Sequence, residues 1–250
     1  MLTIAHLHVD LLTEILSYVP GRELVVKCRL VCQQWRELVD GIHVWKLKCV
    51  REGYFKECWE TYPADWSKYY ILRPLCRNLL KNPCAEEGFA DWTLEANGGD
   101  EWAVEEMSGE HTKYFPEKNV KKYFVTSYER CTKSQKIDLL KNGLWENLLD
   151  IVQPKIVVSD WYAARRDCGC TYQLKVQLLC RKHKVIVEHG SECLTIPQWN
   201  EAIWNQITHV FTNYGPGVRY VKFIHEGQDT QFWAGWYGIR VTNSSVTVEP

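Results

Sequence analysis

Two stretches of this chain carry side chains equipped for chemistry: Asp167-Cys168-Gly169-Cys170 and Gln231-Phe232-Trp233-Ala234-Gly235-Trp236-Tyr237-Gly238. The thiols of the first lie one residue apart, closer than the two-residue gap of zinc and redox pairs, and no second Cys or His pair at ligand spacing follows. The eight histidines, at 6, 8, 43, 111, 183, 189, 209 and 225, form no metal-ligand motif. His209 and His225 fall in alternating stretches, where a place on a sheet face accounts for them. A phosphate-cradling glycine loop, a nucleophile elbow and a framed carboxylate pair are all absent from the sequence. These residues point to a non-catalytic chain with no cofactor and no metal. The one catalytic alternative is a thiol or hydrolytic enzyme built on Cys168, Cys170 and a histidine. The second stretch packs four aromatics into eight residues, with glycines that suit a tight loop better than a strand interior. Aromatic faces on a loop offer flat platforms to the axial C–H groups of a sugar ring, whose slightly positive hydrogens meet the negative face of the ring. The same residues would also serve as core or corner aromatics of a β-sandwich. Their spacing places Trp236 and Tyr237 inward and Phe232 or Trp233 outward.

The elements that must hold these residues follow from hydrophobic period. In the first fifty residues Leu11, Ile15 and Val19 fall four apart, Leu12 and Leu16 form a second row, and Pro20-Gly21 ends the run. A second helix is expected through Leu24, Cys28, Val31, Trp35 and Leu38, and one or two further turns around Ile42, Trp45 and Cys49. Three short helices bury too little apolar surface to be comfortable alone, so this segment should dock on a partner. Residues 51–83 read as a helical linker around Trp66, Tyr69, Tyr70, Leu72, Leu75 and Leu79, closed by Asn82-Pro83. A rigid linker would hold the flanking modules at a fixed angle and keep effective concentration high.

From residue 84 the period changes to two. Strands are expected at 92–96 and 101–105, joined as a hairpin by Asn97-Gly-Gly-Asp. Further strands are expected at 123–128, 156–161, 172–178, 184–188, 207–211, 218–223 and 241–248. Leu144, Leu148 and Val152 form a helical exception. The fold class is therefore α+β and multidomain: a three-helix module at 1–50, a helical linker at 51–83 and an antiparallel β-sandwich at 84–250.

Bulk composition narrows the partners. The 30 basic and 31 acidic residues nearly balance, which argues against nucleic acid or an anionic membrane as the main partner. Basic clusters at 118–122 and 181–184 are short and read as solvated rims. There is no apolar leader and no run long enough to span a bilayer, so no membrane insertion is expected and the location should be cytoplasmic. Eleven cysteines, odd in number and spread without a framework, fit reduced thiols in the cytosol. Asn243-Ser244-Ser245 is formally an N-glycosylation sequon, read here as polar packing at a strand end.

Two resemblances join these readings. Leu7-x-x-x-Leu11-Leu-Thr-Glu-Ile-Leu-Ser-Tyr-Val-Pro-Gly-Arg-Glu-Leu24, Cys28-Arg-Leu-Val-Cys-Gln-Gln-Trp-Arg-Glu-Leu38 and Val44-Trp45 resemble an F-box. The usual Leu-Pro opening is Leu7-His8 here. The resemblance implies that Leu7, Leu11, Leu12, Ile15, Leu16, Leu24, Val31, Cys32, Trp35, Leu38 and Trp45 serve binding to the Skp-type adaptor of a cullin–RING ubiquitin ligase, and it assigns Cys28 and Cys32 to packing. The stretches at 120–128, 160–162, 167–174, 214–220 and 232–245 resemble the F-box-associated domain of the sugar-recognising F-box proteins. That family's domain is a jelly-roll-like antiparallel sandwich, and its sugar-binding members hold the inner chitobiose of N-linked high-mannose glycans on misfolded glycoproteins, marking them for endoplasmic-reticulum-associated degradation. Carried over, the pocket comprises Tyr128, Asp167, Phe232, Trp233 and Ala234. Trp233 would stack on an N-acetylglucosamine ring, Tyr128 would wall the acetamide, and Asp167 would accept hydrogen bonds from sugar donors. The chain has Phe232-Trp233-Ala234 where the best-known glycan binders have Tyr-Trp-Lys, so a hydroxyl and an ammonium donor are missing. The alternative is a sandwich that recognises an unglycosylated protein.

Overall fold

A computed structural model of the chain describes residues 7–55, 61–107 and 115–249; His6, Cys58 and His111 lie outside them. The chain divides into two compact units, Met1–Leu75 with Leu140–Val152, and Cys76–Leu139 with Gln153–Pro250.

The first unit is helical: α1 (Val9–Tyr18), α2 (Gly21–Val26), a tight turn at Cys28–Leu30, α3 (Gln33–Asp40), α4 (Ile42–Arg51) and α5 (Trp66–Leu72), joined by one wide turn at Leu148–Val152. The single helix expected through Leu24 to Leu38 is instead split. Val25 and Val26, both stiff at χ1, end α2, and Cys32 is fully extended (φ −159°, ψ 173°) at the start of α3. The two apolar rows of α1 have different destinations. Leu12 and Leu16 are buried while Leu11 (57 %) and Ile15 (44 %) are exposed.

Within the set expected to face the adaptor, Leu12, Leu16, Leu24 and Trp45 are buried in the unit's own interior. Leu11, Ile15, Val31 and Cys32 stay exposed, with Leu7, Trp35 and Leu38 half-buried. Trp45 is fixed by its indole N–H on the Val39 carbonyl at 2.7 Å. Buried Lys48 donates to the carbonyls of Ser17 (3.2 Å) and Val19 (2.9 Å), where the dipole of α1 favours a cation, and pairs with Glu52 at 3.0 Å. Residues 73–80 are not helical as expected, because Pro74 cannot continue α5 and Arg73 already turns left-handed (φ 42°).

The second unit is a sandwich of two antiparallel sheets. One runs β1 (Thr93–Asn97), β4 (Cys131–Asp138), β10 (Val218–Asp229), β6 (Cys170–Cys180) and β7 (Val185–Gly190), with β8 (Leu194–Ile196) also on β6. The other runs β2 (Ala103–Glu106), β3 (Lys122–Val125), β11 (Arg240–Glu249), β5 (Lys155–Ala163) and β9 (Asn205–Phe211). The hairpin expected around Asn97 is absent: β1 pairs with β4 and β2 with β3, so the Asn-Gly-Gly-Asp turn carries the chain from one sheet to the other. The sequon sits inside β11 rather than at its end, at a register shift where Asn243 has φ 50°. Leu79 follows the edge of β11, its N–H on the Val246 carbonyl at 2.8 Å.

The sandwich encloses a polar knot. Asp160 accepts from Ser244 and Tyr172 hydroxyls, each at 2.7 Å, and lies 2.7 Å from His225 Nδ1, all four residues being fully buried. Lys133, the cross-strand partner of His225, lays its ammonium nitrogen 3.4 Å from the Trp92 ring centre and 3.6 Å from that of Phe124. Burial holds Lys133 well below the lysine range. His225 is pushed down to about 4, first by burial and then by Lys133. Its place is thus interior, a stronger constraint than the sheet face expected.

Candidate functional site

The strand ends bring four loops to one end of the sandwich. The β1–β2 loop carries Asp100, the β3–β4 loop Ser127 and Tyr128, the β5–β6 loop Asp167, and the β10–β11 loop Phe232, Trp233 and Ala234. Buried Asp229 closes β10 and shapes the aromatic loop. Its carboxylate accepts the backbone N–H groups of Gln231, Phe232 (3.1 Å) and Trp233 (3.0 Å), a side-chain-to-backbone turn that holds Phe232 left-handed at φ 57°. Gly235, at φ 112°, takes a conformation L side chains avoid, and its N–H donates to Asp100 Oδ2 at 2.6 Å. Ser127 ties the loops together: its hydroxyl donates to the Gly235 carbonyl at 3.0 Å and accepts the Asp100 N–H at 2.9 Å. Gly99 lies under Tyr128, where an added Cβ would stand 3.1 Å from the ring.

The Asp167 loop is pinned as firmly. The Gly169 N–H donates to Gln231 Oε1 at 2.6 Å, and the Thr230 N–H to the Gly169 carbonyl at 2.9 Å. Asp167 is half-buried and faces Arg165 at 3.6 Å. Arg165 lies 4.9 Å over the Tyr237 ring, which meets Trp233 edge to face at 5.8 Å. One line of contact therefore runs from the carboxylate of Asp167 to the indole of Trp233.

The structure thus places Tyr128, Asp167, Phe232, Trp233 and Ala234 on neighbouring loops. Phe232 is 68 % exposed and Trp233 44 %, so both expected candidates face water. Trp236 does not turn inward: it is exposed, anchored by its indole N–H on the Asp100 carbonyl at 3.1 Å. Spacing had missed that this nitrogen finds its acceptor at the loop surface. The supporting residues Asp100, Ser127, Arg165, Asp229 and Gln231 carried no expectation from sequence. Asp229 had one legible signal, an Asp two residues before a loop-forming run.

The thiol chemistry finds no support here. Burial and the neighbouring Asp167 raise Cys168 to about 11, and burial raises Cys170 to about 12, so neither supplies a thiolate near neutral pH. No group of three or more His, Cys, Asp or Glu among the described residues is placed to hold a metal ion. No helix among them is long and apolar enough to cross a membrane.

Two family models match the chain. An F-box domain model matches residues 4–47, and an F-box associated region model matches residues 70–248. The chain belongs to the F-box family that carries the F-box-associated region. It is 54 % identical over 241 residues to human F-box only protein 6, covering 96 % of this chain and 82 % of that one. It is equally 54 % identical to human F-box only protein 44, covering 96 % and 94 %. Bovine F-box only protein 2 is 48 % identical, covering 96 % and 82 %. Among solved structures, TmCBM61 in complex with beta-1,4-galactotriose is similar at a TM-score of 0.45 and 17 % identity, over 69 % of this chain and 99 % of that one. As an F-box protein the chain is a substrate receptor, a class that is generally non-catalytic, and its F-box implies a Skp-type adaptor and a cullin as partners.

Proposed function

We propose that this F-box protein, as the receptor subunit of a Skp–cullin–F-box ubiquitin ligase, binds the inner chitobiose of N-linked high-mannose glycans on misfolded glycoproteins. Such clients would be met in the cytoplasm and passed to endoplasmic-reticulum-associated degradation. The observation that carries this reading is Trp233, half in water, on a loop fixed by Asp229 and linked through Tyr237 and Arg165 to the carboxylate of Asp167. An indole face takes the apolar side of a pyranose while a carboxylate accepts hydrogen bonds from its hydroxyl or amide donors. Tyr128, on the adjoining loop, walls the acetamide. Phe232 and Ala234 supply shape without a hydroxyl or an ammonium, which leaves Asp167 as the chief polar contact.

Trp233→Ala should abolish retention of the chain on immobilised chitobiose, a loss of at least tenfold or about 1.4 kcal/mol, with its circular dichroism unchanged. Undiminished retention by that variant would refute the assignment. A second reading, recognition of an unglycosylated protein, is favoured by the large exposed ring of Phe232. It predicts that a captured client stays bound after its glycans are enzymatically removed.

A further inference from the structure

Each sheet of the sandwich has an open edge at either end, and three of the four are blunted. β1 carries a register shift between Leu94 and Ala96, with Glu95 held by Lys222 at 2.7 Å. β2 is four residues long and ends in Glu105-Glu106. β7, which shares its neighbour β6 with the short β8, shifts register and holds Glu188, paired with Lys175 at 2.9 Å. Bulges, charges and brevity are the devices that keep a sheet edge from accepting a foreign strand. β9 has none of them. Its seven residues, Asn205-Gln-Ile-Thr-His-Val-Phe211, include no Lys, Arg, Asp, Glu, Gly or Pro and pair with β5 in unbroken register from end to end.

The outer side of β9 is open among the described residues: the strand ends its sheet, and no backbone hydrogen bond outside its ladder with β5 reaches residues 205–211. Gln206, Thr208 and Val210 are exposed, Ile207 and His209 half-buried and Phe211 buried. His209 stacks on His189 of β7 at 3.6 Å, so the two edges form one wall, to which β7 adds the exposed side chains of Val185 and Ile186. A regular, uncharged edge beside apolar surface is a template for another strand. The strand is also complementary to itself. Antiparallel pairing about a two-fold axis at Thr208 sets Thr208 against Thr208, Gln206 against Val210 and Ile207 against His209. Threonine opposite threonine is a favourable cross-strand pair, and with no acidic or basic residue along the strand no like charges are brought into register.

We infer that β9 is a self-association edge: two copies of this chain join their β9 strands antiparallel about Thr208, fusing two five-stranded sheets into one continuous sheet. The inference stands independently of the glycan reading. Where that reading also holds, each pair of chains carries two Trp233 platforms, and a client bearing two glycans gains from the effective concentration of the second.

Sedimentation velocity of the full chain over a concentration series tests this. The wild-type chain should form a dimer that dissociates on dilution. Thr208→Lys and Thr208→Glu each set a like charge against itself on the exposed face, so both should stay monomeric with melting curves unchanged. Mixed in equal amounts, the two variants should dimerise again, because lysine then meets glutamate across the axis. Hydrogen exchange should find the β9 amides that point away from β5 slowed at least about tenfold in the dimer. Leu11→Glu with Ile15→Glu should leave the dimer intact, which separates this edge from association through the exposed row of α1. A wild-type chain that stays monomeric throughout the series, a dimer that survives Thr208→Lys or is lost with the α1 substitutions, or a mixture that fails to dimerise would overturn the inference. Monomers whose β9 amides gain protection only when an unfolded, glycan-free polypeptide such as reduced lactalbumin is added would assign the edge to a client strand and likewise overturn self-pairing.

Discussion

Trp233 and His225 show how single residues divide the labour of the sandwich, one facing water and one holding the interior. The imidazole Nδ1 of His225 is spent on Asp160, and its Nε2 has no hydrogen-bond partner among the described residues. Folding carries this group from water, where it titrates near 6.5, to a site that pushes it down to about 4. Between those values the unfolded chain binds a proton that the folded chain does not, so stability rises with pH there and is lost as pH falls from about 6.5 towards 4. The loss is on the order of 3 kcal/mol. Urea unfolding followed by tryptophan fluorescence should therefore show its midpoint dropping between pH 7 and pH 5, whereas a flat profile would contradict the burial of a neutral imidazole. At the platform, an exposed phenyl and a methyl stand at positions 232 and 234. On the glycan reading proposed above, affinity there should depend on Trp233 and Asp167 more than in a site equipped with a phenol and an ammonium.

At the scale of elements, the β10–β11 loop is the piece whose shape matters most, and Asp229 is its keystone. Asp229→Ala removes the acceptor of three consecutive amides and should cost about 1–3 kcal/mol in stability. It should also lower chitobiose affinity several-fold, because Phe232 and Trp233 lose their fixed positions; melting curves and calorimetry check both, and an unchanged affinity would show that the loop needs no such brace. The same loop marks how far the sequence could be read. Alternation revealed β5, β6, β10 and β11 because their inward positions are apolar. It missed β4, whose buried residues include Thr132, Lys133, Ser134 and Gln135, and three-residue β8, which is too short to show a period. The platform residues were legible as an aromatic run between glycines, and their assignment to a sugar came from the family resemblance. The brace was not legible, since Asp100, Ser127 and Arg165 act through backbone and ring contacts between loops distant in sequence, for which no local pattern exists. Trp236 was misjudged for the same reason: its acceptor is the Asp100 carbonyl, 136 positions away.

For the whole molecule, a receptor must join a ligase contact to a client contact in one chain. We propose that the exposed row of α1, Leu11 and Ile15, belongs to the first. Leu11→Glu with Ile15→Glu should abolish capture of a Skp-type adaptor while shifting stability by no more than about 0.5 kcal/mol, since both side chains already meet water. Leu16→Ala, in the buried row, should instead cost about 2–5 kcal/mol. Adaptor pull-down with parallel melting curves separates the two, and adaptor binding that survives both charges would move the contact elsewhere. The client contact is tested most directly by a glycan array probed with the purified full chain. Signal should appear on glycans with an accessible inner chitobiose and vanish for Trp233→Ala. An array on which the wild-type chain gives no signal, or the same signal whether or not chitobiose is present, would contradict glycan recognition by this receptor.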